Sequence, residues 1–263
     1  MYQTPALKEA LAKIRLAVAR KQGLSCIFGD VGMGKSSLLR FLLAGYMADD
    51  NNVISFLPSG DTASPFAFLK RISADFEVAP QRSRLAQMDA IEEFLTEKHA
   101  TGKTTIVMID EAQLLSLDCL EAIRSLLNYE TNTEKMTQVI LSGQLDLRDR
   151  MMLKRYRAFR SRIVAPVVMR PLTTEETEAM IAYRLEYWQA PNLFTAKACR
   201  RVHELTGGVP RIILLTCQYA HDIAVERNLK CIEPPMIEQG FDELSLVDRE
   251  VGREAAATLA AAE

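Results

Sequence analysis

Several features are scarce or missing from this sequence, and each absence excludes a class of protein. No stretch of about 18 consecutive apolar residues occurs, so no membrane-spanning helix is predicted. Charged residues interrupt the first 21 positions, so no secretory signal is predicted either, and we expect a cytoplasmic protein. There is no CxxC pair and no histidine at metal-ligand spacing, which predicts buried thiols in a reducing compartment. The five cysteines are Cys26, Cys119, Cys199, Cys217 and Cys231.

An excess of positive charge is missing as well. The chain has 32 lysines and arginines against 34 aspartates and glutamates, a net charge of −2. That excludes a global positive field for nucleic acid but leaves a local basic patch open. With 48% hydrophobic and 25% charged residues, the composition excludes a disordered or collagen-like chain. No internal repeat is found, and 263 residues allow one large domain or two small ones.

Short apolar runs alternate with helical periodicity over the first 171 residues. This alternation predicts an α/β domain, residues 1–171, with a mostly parallel sheet covered on both faces. The predicted strands are 24–28, 53–57, 105–109, 139–142 and 163–169, and the predicted helices are 5–21, 35–48, 65–78, 84–100 and 117–129. Pro166 in the fifth strand suits only an edge or irregular strand.

Beyond residue 171 the strands stop. Helical patterns at 195–205, 210–227 and 234–241 predict a small all-helical domain over residues 172–241. The tail 242–263 ends in an alanine-rich, helix-prone stretch without a clear apolar face.

The strongest motif lies between the first strand and the following helix. The segment from Gly29 to Ser36 matches G-x-x-x-x-G-K-[ST], whose backbone N–H groups and helix N-terminus bind phosphate. Lys35 is predicted to reach the β- and γ-phosphates, and the Ser36 hydroxyl to hold Mg²⁺. The predicted nucleotide-binding residues are Gly29, Asp30, Val31, Gly32, Met33, Gly34, Lys35, Ser36 and Ser37.

Acidic and polar side chains follow the third and fourth strands, at the sheet edge where ligands bind in such folds. Asp110 is predicted to hold Mg²⁺ together with Ser36, and Glu111 to polarise the attacking water. After the fourth strand, Gln144, with Ser142 as the alternative, is predicted to touch the γ-phosphate or that water.

Two further basic features suggest phosphate contacts. Residues 148–162 hold seven basic residues and one acidic residue, a local charge of +6. This segment suits either a nucleotide of a neighbouring subunit or a nucleic-acid backbone, and the alternative is a solvated helix face. Arg211 lies at a predicted helix start, where the helix dipole gives an arginine no stabilisation, so a phosphate contact is considered for it.

The chain resembles the AAA+ ATPases, and more closely the ExeA-like branch, which is similar to transposition ATPases of the TniB, TnsC and MuB type. The resemblance covers about residues 5–240 and rests on FGDVGMGKSSLLR, VMIDEAQLLSLDCLEAIRSLLNYET, VILSGQLDL, FRSRI, RPLTTEETEAMIAYRL and GGVPRIILLTC. It implies a P-loop sheet of order 5-1-4-3-2 followed by a helical lid. It also implies Walker A and B motifs at the positions above, sensor 1 at Gln144 and a sensor-2 arginine at Arg211. FRSRI resembles the arginine-finger element, with Arg162 as first choice and Arg160 as second.

We therefore expect a homo-oligomeric ATPase, ring or filament, that uses ATP and Mg²⁺ to regulate an assembly on double-stranded DNA. Arg150, Lys154 and Arg157 share one face of a predicted helix and are the expected DNA contacts, with a transposase or other protein as second partner. Secretion-type relatives carry a membrane segment and a peptidoglycan-binding module, neither of which occurs in these residues, so transposition is preferred.

Three alternatives remain open. The first is an ExeA-like accessory ATPase for an envelope or secretion assembly. The second is a nucleotide-gated scaffold that hydrolyses ATP poorly. The third, a DEAQ-type helicase, is disfavoured because 263 residues hardly accommodate two motor domains besides the helical domain.

Overall fold

A computed structural model of the chain describes residues 2–244 and contains one five-stranded sheet. All strand pairs are parallel, and the strand order is β2-β3-β4-β1-β5. The predicted order 5-1-4-3-2 is the same arrangement counted from the other edge and is confirmed. The strands are β1 (Leu24–Phe28), β2 (Asn52–Leu57), β3 (Thr104–Ile109), β4 (Thr137–Gly143) and β5 (Ile163–Val168).

The sequence pattern of each strand matches its place in the sheet. Strands β1 and β4 are buried at every residue, as expected for strands covered on both faces. Strand β5 alternates between buried and exposed residues and lies at an edge, where Pro166 removes no ladder hydrogen bond from a further strand. The Lys13 ammonium donates a hydrogen bond of 2.7 Å to the Pro166 carbonyl.

Helices cover both faces of this sheet. On one face, α1 and α2 pack through residues such as Ile14 and Leu38, while α3, α4 and α5 pack on the other through Phe68, Ile91 and Ile123. Serine side chains cap the N-termini of α3, α4 and α5. The helices of this part are α1 (Pro5–Ala19), α2 (Lys35–Met47), α3 (Pro65–Asp75), α4 (Arg84–Ala100), α5 (Leu117–Leu126), α6 (Leu145–Met152) and α7 (Arg157–Arg160), with 3₁₀ turns at Ala112–Leu114 and Lys154–Tyr156.

By its contacts the chain divides into two units. The first contains Pro5–Asp30 and Lys35–Met169; the second contains Tyr2–Thr4, Val31–Gly34 and the described residues from Arg170 onward. The second unit is helical, with α8 (Thr174–Tyr187), α9 (Ala196–Thr206), α10 (Pro210–Glu226) and α11 (Pro234–Asp242).

The second unit has its own core and its own helix-start signals. Buried residues such as Ile181, Val202 and Ile213 pack together within it. A capping box begins α8: Thr173 accepts from the backbone N–H of Glu176, and the Glu176 carboxylate accepts from that of Thr173. The predicted tail 242–263 lies outside the described residues except for its first three positions.

The cysteine prediction holds only in part. All five thiols are free, and Cys26, Cys119 and Cys199 are buried. Burial raises the pKa of the Cys199 thiol to about 11. Cys217 is only partly buried, and the prediction is wrong for Cys231, which is exposed in the turn between α10 and α11.

Candidate functional site

Lys35 is the first residue of α2 and is almost completely buried, with 7% of its surface exposed. Its ammonium donates a hydrogen bond of 2.8 Å to the Asp30 carbonyl. Burial lowers the pKa of this ammonium, and the nearby carboxylates of Glu111, Asp110, Asp30 and Asp146 oppose the shift. The hydrogen-bond partner of the buried ammonium is a neutral carbonyl, which a phosphate oxygen can replace.

The residues beside Lys35 leave space for such a ligand. Gly34 has a φ of +86°, a left-handed conformation that suits glycine, and no atom lies within 4 Å of the position a Cβ would occupy. Ser36 is half-buried in the first turn of α2, where helical N–H groups point outward. The loop therefore has the open backbone that phosphate binding requires.

Asp110 follows β3 and is 7% exposed. Its Oδ1 accepts hydrogen bonds from Ser142 Oγ at 2.8 Å and from the Glu111 N–H at 3.0 Å. Within residues 2–244 no hydrogen bond reaches its Oδ2, so this oxygen is available to a cation. The structure thus brings together Asp110 and Ser142, the alternative to Gln144 in the sequence analysis.

Glu111 has φ 47° and ψ 41°, a left-handed backbone that is unusual for a residue with a side chain. Its carboxylate accepts a hydrogen bond from the Gln113 side-chain amide. The other end of that amide, Gln113 Oε1, accepts from the Gln144 N–H at 3.2 Å. A Cβ on Gly143 would lie 2.6 Å from the Leu147 side chain and 3.3 Å from the Gln113 N and Oε1, so glycine allows this close packing.

Gln113 is a residue of the site that was not predicted from the sequence. It is the fourth letter of DEAQ, two positions after Glu111. A polar amide so close to the predicted base could have been noticed, but its bond to Glu111 depends on the 3₁₀ turn. Gln144 contributes its backbone here: it precedes the first residue of α6, and its side chain makes no capping bond.

The prediction that Arg150, Lys154 and Arg157 share one helix face is wrong. Helix α6 ends at Met152 because Leu153 is extended, with φ −65° and ψ 149°, and a separate 3₁₀ turn follows. Arg150 is half-buried and directed inward, donating to the carbonyls of Gln113 at 2.6 Å and Leu115 at 3.0 Å. Lys154 and Arg157 are exposed, as is Arg155.

The two candidate arginine fingers are held differently. Arg160 folds back onto its own segment and donates to the carbonyls of Met151 at 3.1 Å and Met152 at 3.0 Å. Arg162 donates to the side-chain oxygen of Asn128 at 2.9 Å, a contact between exposed groups. Arg160 thus caps the end of α6.

Arg211 lies in the first turn of α10, within the second unit. Its N–H donates a hydrogen bond of 3.2 Å to the carbonyl of Gly32. A Cβ on Gly32 would lie 2.9 Å from Val209 and 3.2 Å from the Cβ of Arg211. The predicted sensor-2 arginine therefore packs against the middle of the predicted phosphate loop.

Matches to known proteins identify the family of this chain. The AAA domain family matches residues 18–151, which include the P-loop and the acidic residues after β3. The chain belongs to the AAA ATPase family. General secretion pathway protein A of Aeromonas hydrophila is 30% identical over 231 residues, which are 87% of this chain and 42% of that relative. The predicted ExeA-like membership and the predicted ATPase activity are confirmed.

Two solved structures have the same fold at low sequence identity. Cdc6p from Pyrobaculum aerophilum has a TM-score of 0.71 at 14% identity, covering 94% of this chain and 69% of that protein. The RuvB Holliday junction branch migration motor of Thermotoga maritima has a TM-score of 0.60 at 14% identity, covering 95% and 72%. Among the helices of residues 2–244, none combines the length and hydropathy that spanning a bilayer requires.

Proposed function

We propose that this AAA ATPase forms homo-oligomers with ATP and Mg²⁺ bound between subunits, and regulates a protein assembly on double-stranded DNA. The observation that carries the DNA part is the exposed trio of Lys154, Arg155 and Arg157, here called the basic segment. A transposase remains the preferred protein partner.

The proposed nucleotide roles rest on the geometry around Lys35 and Glu111. Lys35 binds the β- and γ-phosphates, whose negative charge replaces the Asp30 carbonyl as partner of its ammonium. Glu111 accepts a proton from the attacking water, and its hydrogen bond to Gln113 orients the carboxylate. Residues from Gly29 to Ser37 surround the phosphates with backbone N–H groups.

Asp110 and Ser36 suit a magnesium site. Mg²⁺ favours oxygen ligands and keeps several waters beside one or two carboxylates and substrate phosphates. Asp110 Oδ2 and the Ser36 hydroxyl supply such oxygens, and Ser142 fixes the other Asp110 oxygen. When bound, Mg²⁺ neutralises phosphate charge.

Arginines complete the proposed site. We keep Arg162 as the finger offered to the neighbouring subunit, because one neutral amide oxygen holds it, whereas two carbonyls occupy Arg160. Arg211 is proposed to touch the nucleotide, and the hydrogen bond from its N–H to the Gly32 carbonyl supports that role. Gln144 is kept as a lesser candidate for the γ-phosphate.

The basic segment favours DNA because its charges are not neutralised locally. Within residues 2–244, no carboxylate forms an ion pair with Lys154 or Arg157, and Arg155 lies over the Tyr156 ring at 5.2 Å. Exposed cations of this kind contact phosphates without reading bases, so binding falls steeply with salt. A motor for Holliday junctions shares this fold.

The second candidate is an accessory ATPase for an envelope or secretion assembly. The observation that favours it is the 30% identity to general secretion pathway protein A. The match spans 42% of that relative, so the comparison does not cover the rest of that protein.

The experiment is a salt titration of duplex binding by fluorescence anisotropy, with a non-hydrolysable ATP analogue bound. We expect sequence-independent binding that weakens about 10-fold or more between 50 and 200 mM salt, as for several phosphate contacts. Lys154→Glu with Arg157→Glu removes binding and leaves basal ATP hydrolysis unchanged.

The matched control makes the same change in net charge at two residues outside the basic segment. Lys197→Glu with Arg200→Glu alters two exposed residues of α9 and leaves binding within twofold. No duplex binding at 50 mM salt, or a flat salt dependence, rejects the DNA function and makes the secretion assembly the first candidate.

A further inference from the structure

Arg150 makes two hydrogen bonds to the segment that carries Glu111. Its Nη1 donates to the Gln113 carbonyl at 2.6 Å, and its Nη2 donates to the Leu115 carbonyl at 3.0 Å. Both carbonyls lie at the end of the 3₁₀ turn Ala112–Leu114, where helical carbonyls lack partners of their own. From this geometry we propose that Arg150 is a positioning residue for Glu111 in ATP hydrolysis.

The connection from Arg150 to Glu111 passes through one residue. Arg150 holds the backbone of Gln113, and the side chain of Gln113 donates to the Glu111 carboxylate. Gln113 Oε1 in turn accepts from the Gln144 N–H, so the amide is fixed at both ends. A shift of the Gln113 backbone therefore moves the hydrogen bond that orients the proposed base.

Glu111 needs such support because of its own backbone. A left-handed conformation at a residue with a side chain is less stable than the usual ones and persists only where neighbours hold it. Charge-assisted hydrogen bonds from a guanidinium are among the stronger ones a protein can use for this purpose.

Arg150 also contacts Tyr156, which lies outside the segment that carries Glu111. Its guanidinium lies 5.7 Å from the ring centroid of Tyr156, which is buried, and within 3.4 Å of its hydroxyl. Tyr156 lies between Arg155 and Arg157 of the basic segment. Arg150 thus joins the basic segment to the segment of Glu111.

The inference rests on the proposed role of Glu111 and is tested by separating turnover from binding. Arg150→Ala is expected to lower kcat about 10²-fold, the effect of a misplaced catalytic group, with the Kd of a fluorescent ATP analogue within twofold. Arg150→Lys is expected to be intermediate, because an ammonium lacks the planar fork that spans two carbonyls.

The matched control is Arg148→Ala in the same helix. Arg148 is exposed and pairs only with Asp149 among the residues described, so kcat is expected to stay at the parent value. Gln113→Ala is the second variant: it keeps the Arg150 contacts to backbone and is expected to lower kcat without weakening analogue binding.

Two results overturn the inference. One is parental kcat in both Arg150→Ala and Gln113→Ala; the other is a loss of analogue binding in parallel with kcat in both, which indicates a structural role. The Glu111→Gln variant distinguishes failure of this inference about Arg150 from failure of the proposed function. If that variant hydrolyses ATP normally, the assignment of the base itself is wrong.

Discussion

Ser142 Oγ donates a hydrogen bond of 2.8 Å to Asp110 Oδ1, joining the ends of two neighbouring strands. The register explains the contact, because Ile109 pairs with Leu141 across β3 and β4 and each site residue comes directly after that pair. Both residues are buried, so the hydroxyl satisfies one carboxylate oxygen that has little contact with solvent.

Loss of this hydroxyl is the first testable change. Ser142→Ala is expected to weaken Mg²⁺ activation of ATP hydrolysis about 10- to 100-fold, as removal of an outer partner of a metal ligand does. Magnesium titrations of ATPase activity measure this, with Ser161→Ala, an exposed serine, as control. An unchanged magnesium requirement would mean that Asp110 does not need the Ser142 hydrogen bond to bind Mg²⁺.

The second prediction separates nucleotide binding from hydrolysis. Lys35→Ala is expected to abolish ATP binding, because the phosphates lose their buried cation. Glu111→Gln is expected to keep binding and block turnover, since the amide has the same shape but is no base. Calorimetry and a phosphate-release assay measure the two quantities, and weak binding by the Glu111→Gln variant contradicts the division of roles.

The third prediction concerns the neighbouring subunit. Arg162→Ala is expected to lower turnover about 10³-fold, as loss of an arginine finger does. Mixing this variant with Glu111→Gln subunits is expected to restore part of the activity, because some mixed interfaces contain both intact groups. Arg160→Ala serves as the comparison, and first-order dependence on enzyme concentration without rescue argues for a site within one subunit.

The fourth prediction concerns the stability of the second unit. Thr173→Ala removes one half of the capping box at α8 and is expected to lower the free energy of unfolding by about 1 kcal/mol. Urea denaturation measures the change, and Ser161→Ala provides a control in the other unit. A loss below about 0.3 kcal/mol would show that solvent replaces the cap.

The fold could be predicted because its signals are local and redundant. Each strand is a short apolar run ended by a polar residue, proline or glycine, and the P-loop motif fixes which strand and helix adjoin. Helix ends were less accurate: the predicted helix 117–129 ends at Leu126, where Leu127 caps the helix.

The break in the helix within residues 148–162 could not be predicted in this way. This stretch contains neither proline nor glycine, and helical spacing is present from Arg148 to Arg162. What interrupts the helix is tertiary: Tyr156 and Phe159 are buried in the core, and Arg150 turns inward to reach backbone carbonyls. Charge patterns in a sequence do not reveal which arginine has a carbonyl to bind.

The left-handed backbone of Glu111 lowers local stability, whereas the Glu111 side chain serves the proposed hydrolysis of ATP. Glycine adopts this conformation at little cost, so Glu111→Gly would relieve strain at a position where most other side chains keep it. A selection for heat resistance alone would then favour a chain that folds better and no longer hydrolyses ATP. The strained backbone at Glu111 therefore serves the proposed hydrolysis and not the folding of the turn after β3.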